Sequence, residues 1–582
     1  MKPIDLTLRD GAYMPSEPET FEVVIIGGGP VGLVSAIQLG RAGIKTLLLE
    51  RRSTFSVHPK AAGTHARTME IYRQLGLANA IRKNASDYNG AFSIGWTTRL
   101  NGIEIGGLTI GDKQADIDLF RRWSPETMAF CSQDIYEPLF ADATHSYATI
   151  ELRLGAEATG ISQTPEGVNV EYTSPQHGKR TVFAQYAIGA DGIRSPTRLR
   201  LGISEDALPS FGNSVNVVFE ADMESLRAGR EYGLFWIVNA DIQGAFAWRR
   251  RGNLWSFNFE AGPGEDPAIY TSDRCADIIR LAAGVPDLSL RVISILHWRH
   301  DQSVTDRWRA GRVFLAGDAA HRFPPHGGFG MNSGVQDSHN LAWKLVARLR
   351  WQAGEGLLDS YEKERKPVAQ RNGEQCVLNT KRMEETGWLL KNPQALASIE
   401  TPEGEPLRQR IRGAIPKQRE QLFSQGQQFG QLYSSEAVID DGTPVVESSV
   451  SEYRPTGRPG ARAPHHWLLD MQGKEFSTID LYDGGFVLLA ARDGEAWVSA
   501  ASQIADTTRI RLSGFLIGSA HCREVPGGTP WNDVVGISAS GAVLIRPDGY
   551  VGARWTSLPK DPRQVLEAAL VRILDLPASH ST

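Results

Sequence analysis

Cysteine is scarce and scattered. Cys131, Cys275, Cys376 and Cys522 stand far apart, with no C-x-x-C pair and no metal-ligand spacing. A disulfide framework, a dithiol redox centre and a structural zinc site are therefore not expected, and no metal is. The four thiols read as small buried or partly exposed side chains. An excess of one charge is lacking too. A net charge of -5 without an outstanding Lys/Arg cluster disfavours a nucleic-acid partner. The longest apolar run, residues 23–39, is interrupted by Gly27-Gly28-Gly29-Pro30, with Ser35 and Gln38 beyond. That pattern fits strand, turn and helix and not a membrane span. Residues 1–20 are polar and lack the apolar core of a signal peptide, so the expected location is cytoplasmic. There is no internal repeat or low-complexity tract.

What is present is ordinary in bulk, with 41% hydrophobic and 22% charged residues. The 582 residues exceed one core and suggest about three or four domains. Residues 21–26 (FEVVII) are a continuous apolar run of the kind buried on both faces of a sheet. Gly27-x-Gly29-x-x-Gly32 follows at once, then a helical stretch to residue 42 and a second strand, 45–49, ending at Glu50. This is a βαβ unit carrying the dinucleotide fingerprint. Its first glycine permits the tight turn, the second admits a pyrophosphate and the third allows close helix–strand packing. Glu50 lies where an acid accepts ribose hydroxyls, which favours FAD or NAD over NADP at this position.

Residues 59–70 (PKAAGTHARTME) lead into a helix. Arg67 at its start suits either a phosphate or a pairing with Glu70 or Glu50. Ser132-Gln133-Asp134 opens another helix, and residues 160–172 alternate like hairpin strands. Two further strands end in acids. Residues 186–198 (YAIGADGIRSPTR) present Asp191-Gly192, and residues 311–345 (GRVFLAGDAAHRFPPHGGFGMNSGVQDSHNLAWKL) present Asp318. After Asp318 come a stiff Pro324-Pro325 elbow, then Gly327, Gly328 and Gly330, and a helix from about Asn332. Strand, acid, glycine loop and helix start together place free N–H groups where an electron-rich ligand can dock.

Between the two acids, residues 206–309 form short aromatic-rich segments that read as an inserted antiparallel sheet. Its aromatics serve as core on one face or line a flat pocket. Arg249, Arg250 and Arg251 read as a solvated strand end. The expected fold is α/β. A Rossmann-like dinucleotide domain spans 21–205 with 310–375, behind a polar tail at 1–20. The inserted sheet is followed by a helical segment at 376–439, a Gly/Pro/Ser-rich linker at 440–464 and a small α/β domain at 465–576.

These motifs, in this order over residues 21–375, resemble the group A flavoprotein monooxygenases, the single-component FAD-dependent aromatic hydroxylases. RPGARAPH at 458–465 and GAVLIRPDGYVGAR at 541–554 resemble the thioredoxin-like C-terminal domain of the phenol and chlorophenol hydroxylase branch, here without C-x-x-C. The resemblance implies FAD as cofactor, NADPH or NADH as transient reductant, O₂ and a small aromatic substrate as partners, and a possible homodimer. It implies that Gly27, Gly29, Pro30 and Gly32 hold the pyrophosphate, and Glu50 with Arg51 the adenosine ribose. Arg67 and Gln133 would contact the phosphates or ribityl region. Asp191 and Gly192 would support FAD and NAD(P)H, and Asp318 the ribityl chain. The Pro325 carbonyl and the backbone of Gly328, Gly330, Met331 and Asn332 would lie beside the isoalloxazine. Trp236, Trp248, Phe257, His326 and Gly327 are the expected substrate pocket.

In the phenol-hydroxylase branch an ionisable residue precedes the Arg of Arg-Thr-x-Glu by five positions and helps deprotonate the phenol. Here that position is Ala62. His65 is the substitute base to consider, with a cofactor contact or a plain surface histidine as its other readings; Pro325 completes the catalytic set. The segment is also similar to that of hydroxylases that tailor polycyclic aromatic polyketides. The expected reaction is hydroxylation of a phenolic ring. The alternatives are Baeyer–Villiger or epoxidising chemistry on a polyketide, a plain FAD dehydrogenase, and a flavin-binding scaffold without turnover.

Overall fold

A computed structural model describes residues 19–86, 92–227, 229–249, 253–262, 264–387 and 393–577. The tail at 1–18 and Arg250–Arg251 lie outside the described residues. The apolar runs build an eight-stranded sheet. Its path runs 309–310, Val313–Leu315, β3 (Gly178–Gly189), β1 (Glu19–Ile26), β2 (Thr46–Glu50) and Ile150–Leu154. β1 is parallel to both β3 and β2. Val23 and Ile25 pack on one face, toward the helices, while Val24 and Ile26 meet Val168, Val170 and Tyr172 on the other. Both faces are covered, which is why FEVVII shows no alternation. The expected hairpin is present as Glu157–Gln163 paired antiparallel to Val168–Ser174. Helix α1 (Pro30–Arg41) follows β1, and α2 (Ala66–Gln74) follows the second βα loop.

The inserted sheet has seven strands. Its order is β8 (Leu290–Arg299), β4 (Asn213–Ala221), β7 (Leu254–Glu260), β6 (Gln243–Trp248), β5 (Leu234–Val238), then Phe92–Thr97 and Glu104–Ile110. It is wider than residues 206–309 because Phe92–Thr97, from far earlier in the chain, pairs parallel to β5. A local pattern does not reveal so distant a pairing. Strand parity divides this sheet. Val215, Val217, Phe235, Ile237, Phe246 and Phe257 face outward onto α3 (Ser272–Ala283) and form a hydrophobic core with Cys275 and Ile279. The inward face carries Ser214, Asn216, Asn258 and Ser256, with Asn216 opposite Asn258, Ser214 opposite Glu260 and Ser256 opposite Val218.

Two long helices follow, α4 (Phe329–Arg350) and α5 (Glu355–Glu384), the second running through Pro367 and past the expected boundary at 375. The carboxyl-terminal domain is mixed α/β. Leu512–Leu516 is parallel to Phe486–Ala490, and Ala542–Ile545 and Val551–Trp555 add antiparallel. Buried ion pairs fasten it to the rest. Glu364 on α5 accepts from Lys344 Nζ at 2.8 Å and from Arg546 at 2.6 and 2.8 Å, all three side chains 0% exposed. Arg462 reaches Glu70 on α2, and Arg67 donates to the Asp548 carbonyl at 2.9 Å. Among the described residues no helix is long and apolar enough to cross a membrane.

Replacing Glu364 by Gln keeps the volume but strands two buried cations. The expected loss is about 3–5 kcal/mol at this interface, read as a lower urea midpoint for the FAD-saturated protein. An unchanged midpoint would show that the cluster adds no stability.

Candidate active site

The first turn after β1 separates its glycines by task. A Cβ on Gly27, whose φ is +111°, would stand 2.3 Å from the Ala190 carbonyl oxygen, and one on Gly32 would stand 1.9 Å from the Gly27 oxygen. Both are required by backbone packing. A Cβ on Gly29 would meet nothing nearer than Glu137 Oε1 at 4.0 Å. That space is left for something other than protein. It lies at the start of α1, which has Pro30 in its first turn and no acid there, so unpaired N–H groups and the positive helix end face it.

Glu50 closes the floor of this turn. Its Oε2 accepts from the Gly28 N–H at 2.7 Å, and its Oε1 from the Arg52 N–H and Nε at 2.9 and 2.8 Å. Burial works to raise its pKa, but the hydrogen bonds from Arg52 and Gly28 outweigh it and hold the carboxyl below the ordinary range. The residue engaged here is Arg52; Arg51 is exposed beside it. Gln133 donates from Nε2 to Glu137 and its N–H meets the Lys60 carbonyl at 2.9 Å. Of the readings open for Arg67, the structure shows the pairing with Glu70 at 2.9 Å, with the side chain turned to the carboxyl-terminal domain.

Lys60 was not foreseen. It is exposed, yet crowded enough that burial lowers its pKa, with Arg52, Glu137 and Asp318 acting on it electrostatically. A lone lysine in a polar stretch gives no signal in the sequence. Asp318 is likewise exposed while protein surrounds it, the situation of a carboxylate on the floor of a deep groove, and burial raises its pKa against His321 and Lys60. Asp191 accepts from the Ser195 hydroxyl and from the Thr197 N–H at 2.9 Å, fixing the turn at Gly192, whose φ is +80°.

The glycine loop completes the groove. The exposed Pro325 offers its carbonyl to the Gly328 N–H at 3.0 Å, and Gly327 and Gly328 adopt φ of +106° and +70°. Gly328 caps α4, and a Cβ on Gly330 would meet nothing within 4 Å. Met331 is half-buried. The buried Asn332 accepts from the His65 N–H at 2.8 Å and donates to the carbonyls of Gly63 and Gly328 at 2.9 and 2.7 Å. From Gly29 to Gly330 the open positions, free N–H groups, Lys60 and Asp318 fit an FAD. The α1 end would hold the pyrophosphate, Asp318 the ribityl chain and the α4 end the flavin ring.

Two expectations are corrected. His65 is not an available base. Its Nε2 donates to the Gly327 carbonyl at 2.9 Å, its Nδ1 is buried without a partner, and its ring packs edge-on to Phe329 at 4.7 Å. Burial drives its pKa down to about 4. Phe257 is not a pocket residue, because strand parity turns it outward into the core against Phe246, 4.3 Å between centroids. Trp248 lies under Arg227 at 3.7 Å on the rim, while Trp236 does face inward, 6.2 Å from the His326 ring. His326 pairs through Nδ1 with Thr380 at 2.9 Å, and burial lowers its pKa to about 3. Gly327 is half-buried beside it.

The inward sheet face supplies residues that aromatic content had hidden. His58 bridges Ser294 (2.8 Å) and Asn216 (2.9 Å), and Trp298 stacks on His300 at 4.4 Å. Alternating Ser and Asn on strands whose other face is apolar was the available signal. Beside them a cavity of about 420 Å³ opens between Ala62–Gly63, the stacked Phe92 and Phe130, Ala247, Trp248 and Arg249. Asn332 holds the Gly63 carbonyl, so this cavity adjoins the α4 end of the groove. Another cavity, of about 350 Å³, lies by Trp343 and Tyr482 where α1, α2 and α4 finish at Arg41, Gln74 and Arg350. Arg41, Arg350, Arg509 and Arg511 line it together with Asp483.

Gly29→Ala should leave the fold intact but abolish FAD retention, whereas Gly27→Ala should lower stability itself; FAD titration of the apoprotein with parallel melting separates the two. Acid should unfold the protein early. His65 and His300 are held near 4, and His326 and His339 near 3, all by burial. Unfolded imidazoles titrate near 6.5, so between about 6.5 and 4 the unfolded chain binds more protons and stability falls as pH is lowered. The urea midpoint should therefore be lower at pH 5 than at pH 7.5, and equal midpoints would contradict neutral buried histidines.

The FAD binding domain profile matches residues 20–375, and the aromatic-ring hydroxylase C-terminal profile matches residues 456–577. The tetracenomycin B2 monooxygenase-dioxygenase of Streptomyces olivaceus is 34% identical over 95% of this chain and 98% of that protein. The 4-methyl-5-nitrocatechol 5-monooxygenase of a Burkholderia species is 32% identical over 95% of this chain and 97% of that protein. The crystal structure of the flavin-dependent monooxygenase PieE with FAD and substrate superposes with a TM-score of 0.88 at 30% identity, covering 96% of this chain and 99% of that one. With an FAD binding domain and an aromatic-ring hydroxylase C-terminal domain in one chain, and full-length relatives that are monooxygenases, the protein belongs to the FAD-dependent aromatic-ring hydroxylase family of flavoprotein monooxygenases.

Proposed function

We propose that this protein hydroxylates a phenolic aromatic ring, consuming NAD(P)H and O₂ and releasing NAD(P)⁺ and water. The observation that carries this reading is the meeting of the FAD groove and the 420 Å³ cavity at Gly63 and Asn332. Bound FAD would supply two-electron reduction by the nicotinamide and activation of oxygen. The chain supplies the rest. The unpaired N–H groups of Gly330 and Met331, at the positive end of α4, favour negative charge beside them, an effect of about 2.7–4 kcal/mol per donor in comparable sites. Asn332 has its side chain fully engaged, so those donors are held in place. The sheet covers the cavity and keeps water from the reacting centre.

A second reading concerns substrate size. The cavity volume and the likeness to a tetracenomycin monooxygenase favour a polycyclic phenol over a single ring. The same site then also suits oxygen insertion into a polyketide. In the carboxyl-terminal domain the order strand, helix, two strands, helix, two strands and helix over 486–573, with Arg523–Glu524 outside the main four-stranded sheet, supports a thioredoxin-like fold. Cys522 is its sole cysteine, so its role is packing, within the chain or in a homodimer.

Phenols of one and several rings should stimulate NAD(P)H oxidation and O₂ uptake by the purified yellow protein, with a product heavier by one oxygen. Absence of bound FAD, or no stimulation by any phenol, would refute the reading. Reduction without an oxygenated product would favour a dehydrogenase.

A further inference from the structure

The cavity of about 350 Å³ plays no part in the proposed reaction. Helices α1 and α4 open at Gly29 and Gly328 and finish, with α2, beside this cavity. At about 1.5 Å per residue, His339 to Arg350 lie roughly 14–30 Å along α4 from Gly330. A molecule held there is remote from chemistry at the Gly330 end. The opposite wall comes from the carboxyl-terminal domain, through Tyr482, Asp483, Gly484, Arg509, Arg511 and Pro547, so the cavity spans the seam between the two domains. Its volume falls within the roughly 300–1,000 Å³ of small-molecule sites, and it shares their make-up of aromatic and apolar walls with few polar groups. Those walls are Leu75, Val346, Trp343, Trp351 and Tyr482.

The charge on the lining is mainly positive. Arg511 pairs with Asp483 and Arg350 with Glu22, each at 2.8 Å, while Arg41 and Arg509 add two more guanidinium groups. The carbonyl ends of helices repel an anion, but here cations cover them. Arg41 donates to the Gln74 carbonyl at the end of α2, and Arg350 to the Gly43 carbonyl just past α1 at 2.8 Å.

A buried side chain points to the same chemistry. His339 lines the cavity, is 7% exposed, and its ring makes no hydrogen bond among the described residues. Burial lowers its pKa to about 3, with Arg67, Arg365 and Arg41 acting in the same sense and Asp548 against them. The neutral ring keeps one N–H to donate. One turn along α4, Trp343 Nε1 is also buried without a partner among the described residues. Unpaired buried donors are costly, and an acceptor seated in the cavity meets the need of His339.

We propose that this cavity is a second ligand site, one that takes a small planar anion, an aryl ring carrying a carboxylate or a phosphate, and holds it across the domain seam. The anionic group is held by Arg41, Arg509 and the His339 N–H, and the ring lies against the aromatic wall. No bond is made or broken there. Occupation stabilises the docked domains by mass action. The site stands apart from the monooxygenase reading and does not depend on it.

The test is calorimetric titration of the FAD-saturated full chain with 2-naphthoate, adenosine 5′-monophosphate, 2-naphthamide and inorganic phosphate, with the flavin spectrum followed in parallel. One ring anion should bind per chain without perturbing the flavin, and the tighter of the first two probes tells a carboxylate ligand from a phosphate one. The uncharged amide and the ringless phosphate should bind at least about 10-fold more weakly. Arg41→Gln and Arg509→Gln should each weaken the ring anion by about 10- to 150-fold, and Asp483→Asn should not weaken it. Retained FAD and an unchanged melting point without ligand report correct folding of each variant. The proposal is overturned if neither ring anion binds, if binding is seen only with a flavin perturbation, if 2-naphthamide binds as tightly, or if both arginine variants bind like the parent.

Discussion

The Asn332 side chain is the joint on which the site depends. One buried amide accepts from the His65 N–H and donates to the Gly63 and Gly328 carbonyls, tying the strand before α2, the glycine loop and the first turn of α4 together. Each bond is worth only about 1 kcal/mol net, but breaking one strands a buried polar group at greater cost. Its consequence is positional. With the side chain committed, the backbone donors at Gly330 and Met331 keep their direction without any ligand to organise them.

The carboxyl-terminal domain acts on the same helix. His65 caps α2, and within two turns Arg67 and Glu70 are bound by Asp548 and Arg462 from that domain. Glu70 also accepts from Ser124 at 2.6 Å. Burying so many charges brings little net stability, yet it admits one docked arrangement. The glycine loop, α2 and the distant domain therefore form a single bonded assembly.

Much of this was legible in the sequence. Gly27, Gly29, Gly32, Glu50 and Asp318 sit at or just beyond strand ends that a continuous apolar run and a turn announce, and those strands are present. Their finer roles were less visible. Arg67 left two partners open because a pairing with a domain hundreds of residues away has no local signature. Phe257 was assigned to a pocket because composition says aromatic while only register says which face. His65 was offered as a base because its neighbours in space, Gly327 and Phe329, are remote in sequence. Lys60, His58 and Asn216 acquire meaning from the groove and the sheet, which bring together segments that no window contains.

The inward face of the inserted sheet has a thermodynamic corollary. Ser214, Ser256, Asn216 and Asn258, with His58 and His300, line a surface that in most sheets would be sealed by hydrocarbon. The groups on it are paired within the protein, His58 with Ser294 and Asn216, and Ser214 with His300 and Glu260. Polar groups that pair in this way fix one another's orientation, so the wall keeps its pattern of donors and acceptors as part of the fold.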